Sequence, residues 1–216
     1  ATFFSLFLFN FSMSSSKYWS EEYLYGLYAL SLIFFFIFIY EGKRSSEPII
    51  DFSLLKNRFY VAGNFSGLIS YLIIGGTMFV FPFYLEYVLK YSPALAGSLL
   101  IIIPAFMSVG TPISGSLSDK IGYRLPTFIG FLLISLGAFM VVIFSNATTS
   151  IYEIIIFLLI IGLGMGIFTA PNNSSIMGIS PPGKLSLVGG FLNMMRSLGL
   201  IFGVSFTTFV YELNMQ

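Results

Sequence analysis

The sequence predicts an all-α integral membrane protein, and three observations carry that prediction. Of its 216 residues, 56% are hydrophobic and only 9% are charged, whereas soluble domains carry about 25% charged residues. Mean hydropathy is +0.92. The apolar residues also gather into six long runs, each near the roughly 20 residues that cross a hydrocarbon core of ~30 Å as a helix. Ten Lys and Arg with nine Asp and Glu are too few to cover the surface of a soluble fold of this size, so a lipid bilayer is the expected solvent.

In chain order the runs are Tyr23 to Tyr40, Tyr60 to Val88, Ala94 to Leu117, Leu125 to Phe144, Ile151 to Met177 and Leu185 to Tyr211. Strands fit poorly: Phe34 to Ile39 is apolar at every position, with none of the period-two alternation of a lipid-facing barrel. A helix satisfies its own backbone in lipid, so each run is read as a helix. Thr2 to Phe11 is a further apolar stretch without the charged start or small-residue cleavage site of a signal peptide, and it reads as the end of a cut helix. With no initiator Met at Ala1 and a hydrophobic segment running almost to Gln216, the chain is expected to be a piece of a longer protein.

Charge sorts the connections. One set of loops holds Lys43, Arg44, Lys56, Arg58, Lys120, Arg124 and Lys184, and the alternate set only Lys17 and Lys90. Basic residues accumulate on the cytoplasmic side. That places Glu41 to Arg58, Gly115 to Arg124 and Ser180 to Lys184 inside, and the other loops outside. Trp19, Tyr18 and Tyr23 suit an interfacial aromatic belt, and Glu153 and Glu212 interfacial positions.

Composition also excludes chemistry. A net charge of +1 gives no field for nucleic acid. With no Cys and no His, thiolate and imidazole metal sites, imidazole-activated nucleophiles and disulfides are ruled out. No catalytic residue, metal or cofactor is expected.

Within the runs, Gly63 with Gly67, Gly162 with Gly166 and Gly199 with Gly203 repeat at the four-residue spacing that lets helices approach closely; this serves either fixed packing or a sliding seam. Pro82, Pro104, Pro112, Pro126 and Pro171 lie inside or at the ends of runs, where broken helices tend to line cavities. Ser92-Pro93 reads as an N-cap followed by proline at the first helical position.

The connection between the third and fourth complete runs holds Gly115, Leu117, Asp119, Lys120, Gly122 and Arg124. Physically, the glycines permit a tight turn, and Asp119 is placed to meet the positive N-terminal end of the next helix or a basic side chain. The spacing G-x-L-x-D-K-x-G-x-R resembles the cytoplasmic signature of the major facilitator superfamily, departing from it where Tyr123 replaces a basic residue. Further stretches resemble the superfamily's 14-span drug:proton antiporters, in the same order. They are Pro48, Asp51, Leu54, Leu55, Asn57 and Arg58; then Ser92-Pro93, Ala96-Gly97 and Pro104; then Gly162 to Gly166 with Ala170, Pro171 and Asn172.

The resemblance implies an incomplete C-terminal helical bundle of that superfamily. Residues 1–58 would be two linker helices and a cytoplasmic connector, and 59–216 five of six bundle helices. The N-terminal bundle would be a missing partner, and the full-length protein a monomer. The six residues from Gly115 to Arg124 would form a conformational latch.

Ionisable groups inside a span are functional candidates by default. Arg196 is the only one well inside: it lies about 16 Å along its helix from Leu185 at 1.5 Å per residue, near mid-bilayer if the crossing starts there, or is an anchor that snorkels to the cytoplasmic surface if it starts nearer Leu192. Asn193 stands one turn before it, and Asn172 and Asn173 beside Pro171. These four form a candidate polar stripe, in which Asn172 and Asn173 either orient a substrate or tie up carbonyls freed by Pro171. Glu86 lies near an outer end with Lys90 one turn on, as an ion pair or as a carboxylate of an outer vestibule. No span holds a clearly buried Asp or Glu, so a coupling acid is expected in the missing half. The favoured function is a multi-pass secondary transporter of the plasma membrane, exporting small amphipathic molecules against protons by alternating access. The alternatives are a non-transporting scaffold or receptor on a transporter fold, and a membrane enzyme, for which no G-x-S-x-G, P-loop or H-E-x-x-H motif is present.

Overall fold

The computed structural model describes residues 53–215, with side chains through Val210, and eight positions between Gly26 and Tyr40 that are helical and exposed. Expectations for the remaining residues before Ser53, among them Trp19 and the linker assignment, lie outside the described residues, as does the side chain of Glu212.

Every described regular element is helical. A short 3-10 turn (Leu54–Lys56) leads into α1 (Arg58–Phe83). The helix begins there because the Asn57 side chain accepts from the Phe59 and Tyr60 amides at 3.0 and 3.4 Å, filling two donors the first turn leaves open. Near its far end stands Pro82, which has no N–H to give. The helix runs on as a wider π turn, Tyr84–Val88, and Lys90 at φ +59° breaks it.

The third run differs from the single helix expected. It forms α2 (Pro93–Leu100) and α3 (Ile102–Ile121), parted at Ile101. Pro104 explains the break: its ring clashes with the carbonyl four residues back, at Leu100, and leaves that carbonyl without a donor. The start is as read, with the Ser92 Oγ accepting from the Leu95 amide at 3.3 Å and Pro93 in the first turn.

The remaining helices are α4 (Arg124–Phe144), α5 (Ile151–Gly178) and α6 (Leu185–Met215). A reciprocal capping box opens α5: Ser150 N–H donates to Glu153 Oε2 at 2.7 Å, and Glu153 N–H donates to Ser150 Oγ at 3.3 Å. That gives Glu153 a structural task. Among the described residues, five segments are long and apolar enough to cross a membrane.

α5 is the central helix, packed along both α3 and α4, while α1 packs along α6 and meets α5 more lightly. In lipid, apolar contact with a neighbouring helix gains little over contact with acyl chains, so association depends on close backbone approach. The glycine pairs supply it. A Cβ at Gly203 would lie 2.1 Å from the Leu72 carbonyl oxygen and one at Gly199 2.3 Å from that of Leu68. At Gly166 and Gly162 it would meet the carbonyls of Met107 and Ile103, each at 2.6 Å. Ser114 Oγ also donates across to Gly166 O at 3.0 Å.

The outward face of α4 carries Leu125, Phe128, Leu132, Phe139 and Val142, all exposed, as a lipid-facing surface requires. α6 exposes Ser186, Gly190, Asn193 and Ser197 at helical spacing along its first half, after Leu185, and Leu200, Phe202, Phe206 and Phe209 beyond. Ser108 and Ser116 of α3 and Ser174 of α5 are exposed as well. The bundle surface is therefore largely apolar, with α4 its most uniform face, and is interrupted by short polar stripes.

Candidate functional site

Three helices converge on Arg196. Its Nη2 donates to Asn173 Oδ1 of α5, and its guanidinium carbon stands 5.2 Å from the ring centroid of Tyr71 on α1, within cation–π range. The residue is half-buried, and its Nε is buried without a hydrogen-bond partner. Asn173 gives one neutral acceptor to a group with five N–H donors. The described acids with placed side chains are Glu86, Asp119 and Glu153, and none pairs with it.

The expected stripe of Asn172, Asn173, Asn193 and Arg196 is thus only partly assembled. Asn173 and Arg196 meet. Asn193 is exposed on α6. Asn172 turns away toward α1, where its amide lies beside Gly63 and Gly67, and its Nδ2 is buried with no partner. Tyr71 carried no signal in the sequence, since a tyrosine in an apolar run is unremarkable until helix rotation is known.

The motif residues lie at the basic end of the bundle. α3 runs one turn further than expected, so Leu117, Asp119 and Lys120 are helical and the connection shrinks to Gly122 and Tyr123. Gly122 ends the helix at φ +83°, a conformation open to glycine, with its N–H donating to Ser118 O at 2.9 Å. Asp119 consequently sits at the negative end of its own helix dipole and does not cap α4, correcting the expected contact with that helix's N-terminus. Asp119, Lys120 and Leu117 are exposed, and Gly115 faces Ala170. Arg124 lies over the Phe59 ring at 4.9 Å, and Arg58 lies near the same ring at 5.0 Å. Arg124 and Asn172 line one cleft of roughly 240 Å³ between α1, α4 and α5.

Glu86 lies at the opposite end, half-buried in the π turn. Its helical pairing with Lys90 is absent because Lys90 falls beyond the turn with left-handed backbone. Close by, Phe79 meets Phe83 edge-to-face with centroids 5.5 Å apart, and Phe83 stacks on Tyr87 of the π turn at 6.2 Å. They line a cleft of about 610 Å³ with Tyr84 and Thr208. Tyr84 Oη donates to Asn146 O at 2.8 Å, tying α1 to the connection between α4 and α5. No group of three or more potential metal ligands occurs among the described residues.

The family profile of the Major Facilitator Superfamily matches residues 23–204. The chain belongs to the Major Facilitator Superfamily. It is 36% identical over 178 residues to the riboflavin transporter RibZ of Clostridioides difficile (strain 630), covering 82% of this chain and 38% of that protein. It is 29% identical over 188 residues to the quinolone resistance protein NorB of Staphylococcus aureus (strain MRSA252), covering 86% and 40%. The strain JH9 protein of the same name is 30% identical over 190 residues, covering 87% and 40%. The chain thus spans about two-fifths of the length of these relatives. As a member of the superfamily it is a multi-pass protein of the cell membrane, all-helical throughout its described elements.

Proposed function

We propose that this chain is the C-terminal part of a secondary active transporter that exports small amphipathic molecules by alternating access, driven by protons. The observation that carries the reading is the contrast between faces. α4 turns bulky apolar side chains outward along its length, whereas the first half of α6 turns out Ser186, Gly190, Asn193 and Ser197 with the half-buried Arg196 beside them, its exposed Phe202, Phe206 and Phe209 lying nearer the other end. A polar stripe on a spanning helix belongs against water or another protein surface, not against acyl chains. The polar side is therefore the wall of a translocation pathway, closed by the rest of the transporter.

Two relatives are named for riboflavin and for quinolone resistance. The aromatic cleft of Phe79, Phe83 and Tyr87 offers flat apolar walls suited to ring-bearing molecules of that general kind. The acid that takes up the coupling proton lies elsewhere in the protein, since no described span buries an Asp or Glu. Residues 1–58 are linker helices with their connector, and 59–216 the bundle.

The experiment is uptake of an amphipathic fluorescent dye by inverted vesicles holding the complete transporter. Accumulation that depends on an imposed pH gradient and collapses with a protonophore is the expected result. Equal dye levels with and without the gradient would overturn proton-driven export.

A further inference from the structure

We infer that the substrates of this transporter include organic anions, and that Arg196 binds their carboxylate from the polar face of α6. The inference rests on the transporter reading above and adds a ligand class to it.

Arg196 is a charge with no acidic partner among the described residues. A guanidinium inside a spanning helix brings five N–H donors and no acceptor. It must then find an anion or water. Arg196 has one neutral acceptor, Asn173, and one aromatic face, Tyr71. Its Nε has no acceptor, and no acid among the described residues pairs with it. Structural arginines in membrane proteins are usually answered by Asp, Glu or several carbonyls, and among the described residues Arg196 has only the Asn173 amide oxygen.

The surroundings hold the group without neutralising it. Asn173 fixes one end of the fork, and Tyr71 backs its plane, so the guanidinium keeps its orientation when empty. On α6 itself, Asn193 and Ser197 flank Arg196 and are exposed, so polar groups border it, with the exposed Leu200 one turn further on. A carboxylate matches the planar fork of a guanidinium and forms charge-assisted hydrogen bonds with it. Tyr71 adds selectivity of its own, since its electron-rich face supports the cation but offers an anion nothing. The anion is thereby directed to the α6 side.

The test uses the complete transporter, wild type and with Arg196→Gln or Arg196→Lys, and two probes with one ring system: a fluorescent coumarin carboxylate and its neutral carboxamide. Transport into inverted vesicles and thermal stabilisation of the detergent-purified protein are both read. In the wild type the carboxylate should be the better substrate and the better stabiliser. Arg196→Gln should weaken the carboxylate about tenfold or more, the scale of a lost charge-assisted pair, while leaving the carboxamide within about twofold. Arg196→Lys should recover part of the loss, because it keeps the charge without the fork.

Equal effects of Arg196→Gln on both probes would overturn the inference, as would a wild type indifferent to the carboxylate. A folded Arg196→Gln protein that moves neither probe would also overturn it, by showing that the arginine answers an acid elsewhere in the protein. The two readouts separate this inference from the one beneath it. Carboxylate stabilisation that depends on Arg196 without any transport would sink the transporter reading alone; transport of both probes regardless of Arg196 would sink this one alone.

Discussion

Replacing Gly203 by alanine adds a single methyl group where α6 crosses α1. That Cβ would stand 2.1 Å from the Leu72 carbonyl oxygen and 2.8 Å from the Gly76 amide nitrogen. Ordinary van der Waals contact begins near 3.4 Å, so the helices must part by more than an ångström, and a backbone carbonyl cannot rotate away as a flexible side chain would. Overpacking of this kind costs about 1–3 kcal/mol. The better helix propensity of alanine returns at most about 1 kcal/mol, so the net effect is destabilising.

Gly190, on the same helix, has no heavy atom within 4 Å of its would-be Cβ, and Gly190→Ala should be neutral or stabilising by up to about 1 kcal/mol. The assay is the melting temperature of the detergent-solubilised complete transporter, followed by size-exclusion chromatography after heating. Gly203→Ala should melt several degrees below wild type and Gly190→Ala at or above it. Identical melting of the two variants would refute the close α1–α6 approach.

Other expectations follow from the basic end of the bundle. Asp119→Asn should leave the melting temperature unchanged or slightly raised, since a carboxylate at the C-terminal end of a helix is unfavourable by about 0.3–1 kcal/mol, yet it should lower turnover if Asp119 latches one conformation. Wild-type turnover at matched membrane levels would reduce Asp119 to a topology-setting charge. A cysteine at Tyr123, exposed in the short connection between α3 and α4 of a chain without native cysteine, should react with an impermeant reagent in inverted vesicles and not in intact cells; the reverse pattern would invert the assigned orientation. Residues 1–216 reconstituted alone should give no gradient-driven uptake, and uptake by them would point to a half-transporter that works as a dimer.

The spans were legible because lipid imposes a simple rule, and the run Leu125 to Phe144 differs from α4 by one residue at its start. Local chemistry was legible too: Ser92 before Pro93 capped a helix as its side chain predicts. The break at Ile101 was present in the sequence as Pro104, but its effect falls one turn upstream, at a residue with no signal of its own. The extension of α3 to Ile121 was hidden because a charged Asp-Lys pair reads as loop, whereas the true stop is the glycine after it. Contacts between helices were the least legible. Asn172 and Asn173 are adjacent in sequence and face different helices, α1 and α6 respectively. One residue of helix is a turn of about 100°, and nothing in a single sequence fixes that rotation.

Four-residue glycine spacing left two uses open, fixed packing and a sliding seam, and the contact geometry favours the first. Gly199 and Gly203 each face a carbonyl of α1, those of Leu68 and Leu72, one turn apart. Gly75 and Gly76 of α1 face back toward Leu200 and Thr207 of α6. Such a seam is flat only at matched register. A shift of α6 by one residue is about 1.5 Å along the axis together with that same rotation, and it would carry Leu200 or Val204 onto a carbonyl where only glycine fits. The α3–α5 seam has the same construction, with Gly162 and Gly166 against the carbonyls of Ile103 and Met107. Motion along either seam therefore has to cross overlaps of an ångström or more, costs that a conformational equilibrium of a few kcal/mol does not bear. Rocking of the helices as one body leaves both seams intact and concentrates change at the polar stripes and at the basic end, where Arg196, Asp119 and Arg124 stand without acidic or basic partners among the described residues. Charges left unanswered within a rigid bundle are the groups able to make different contacts in two conformations, which is what a population shift between them requires.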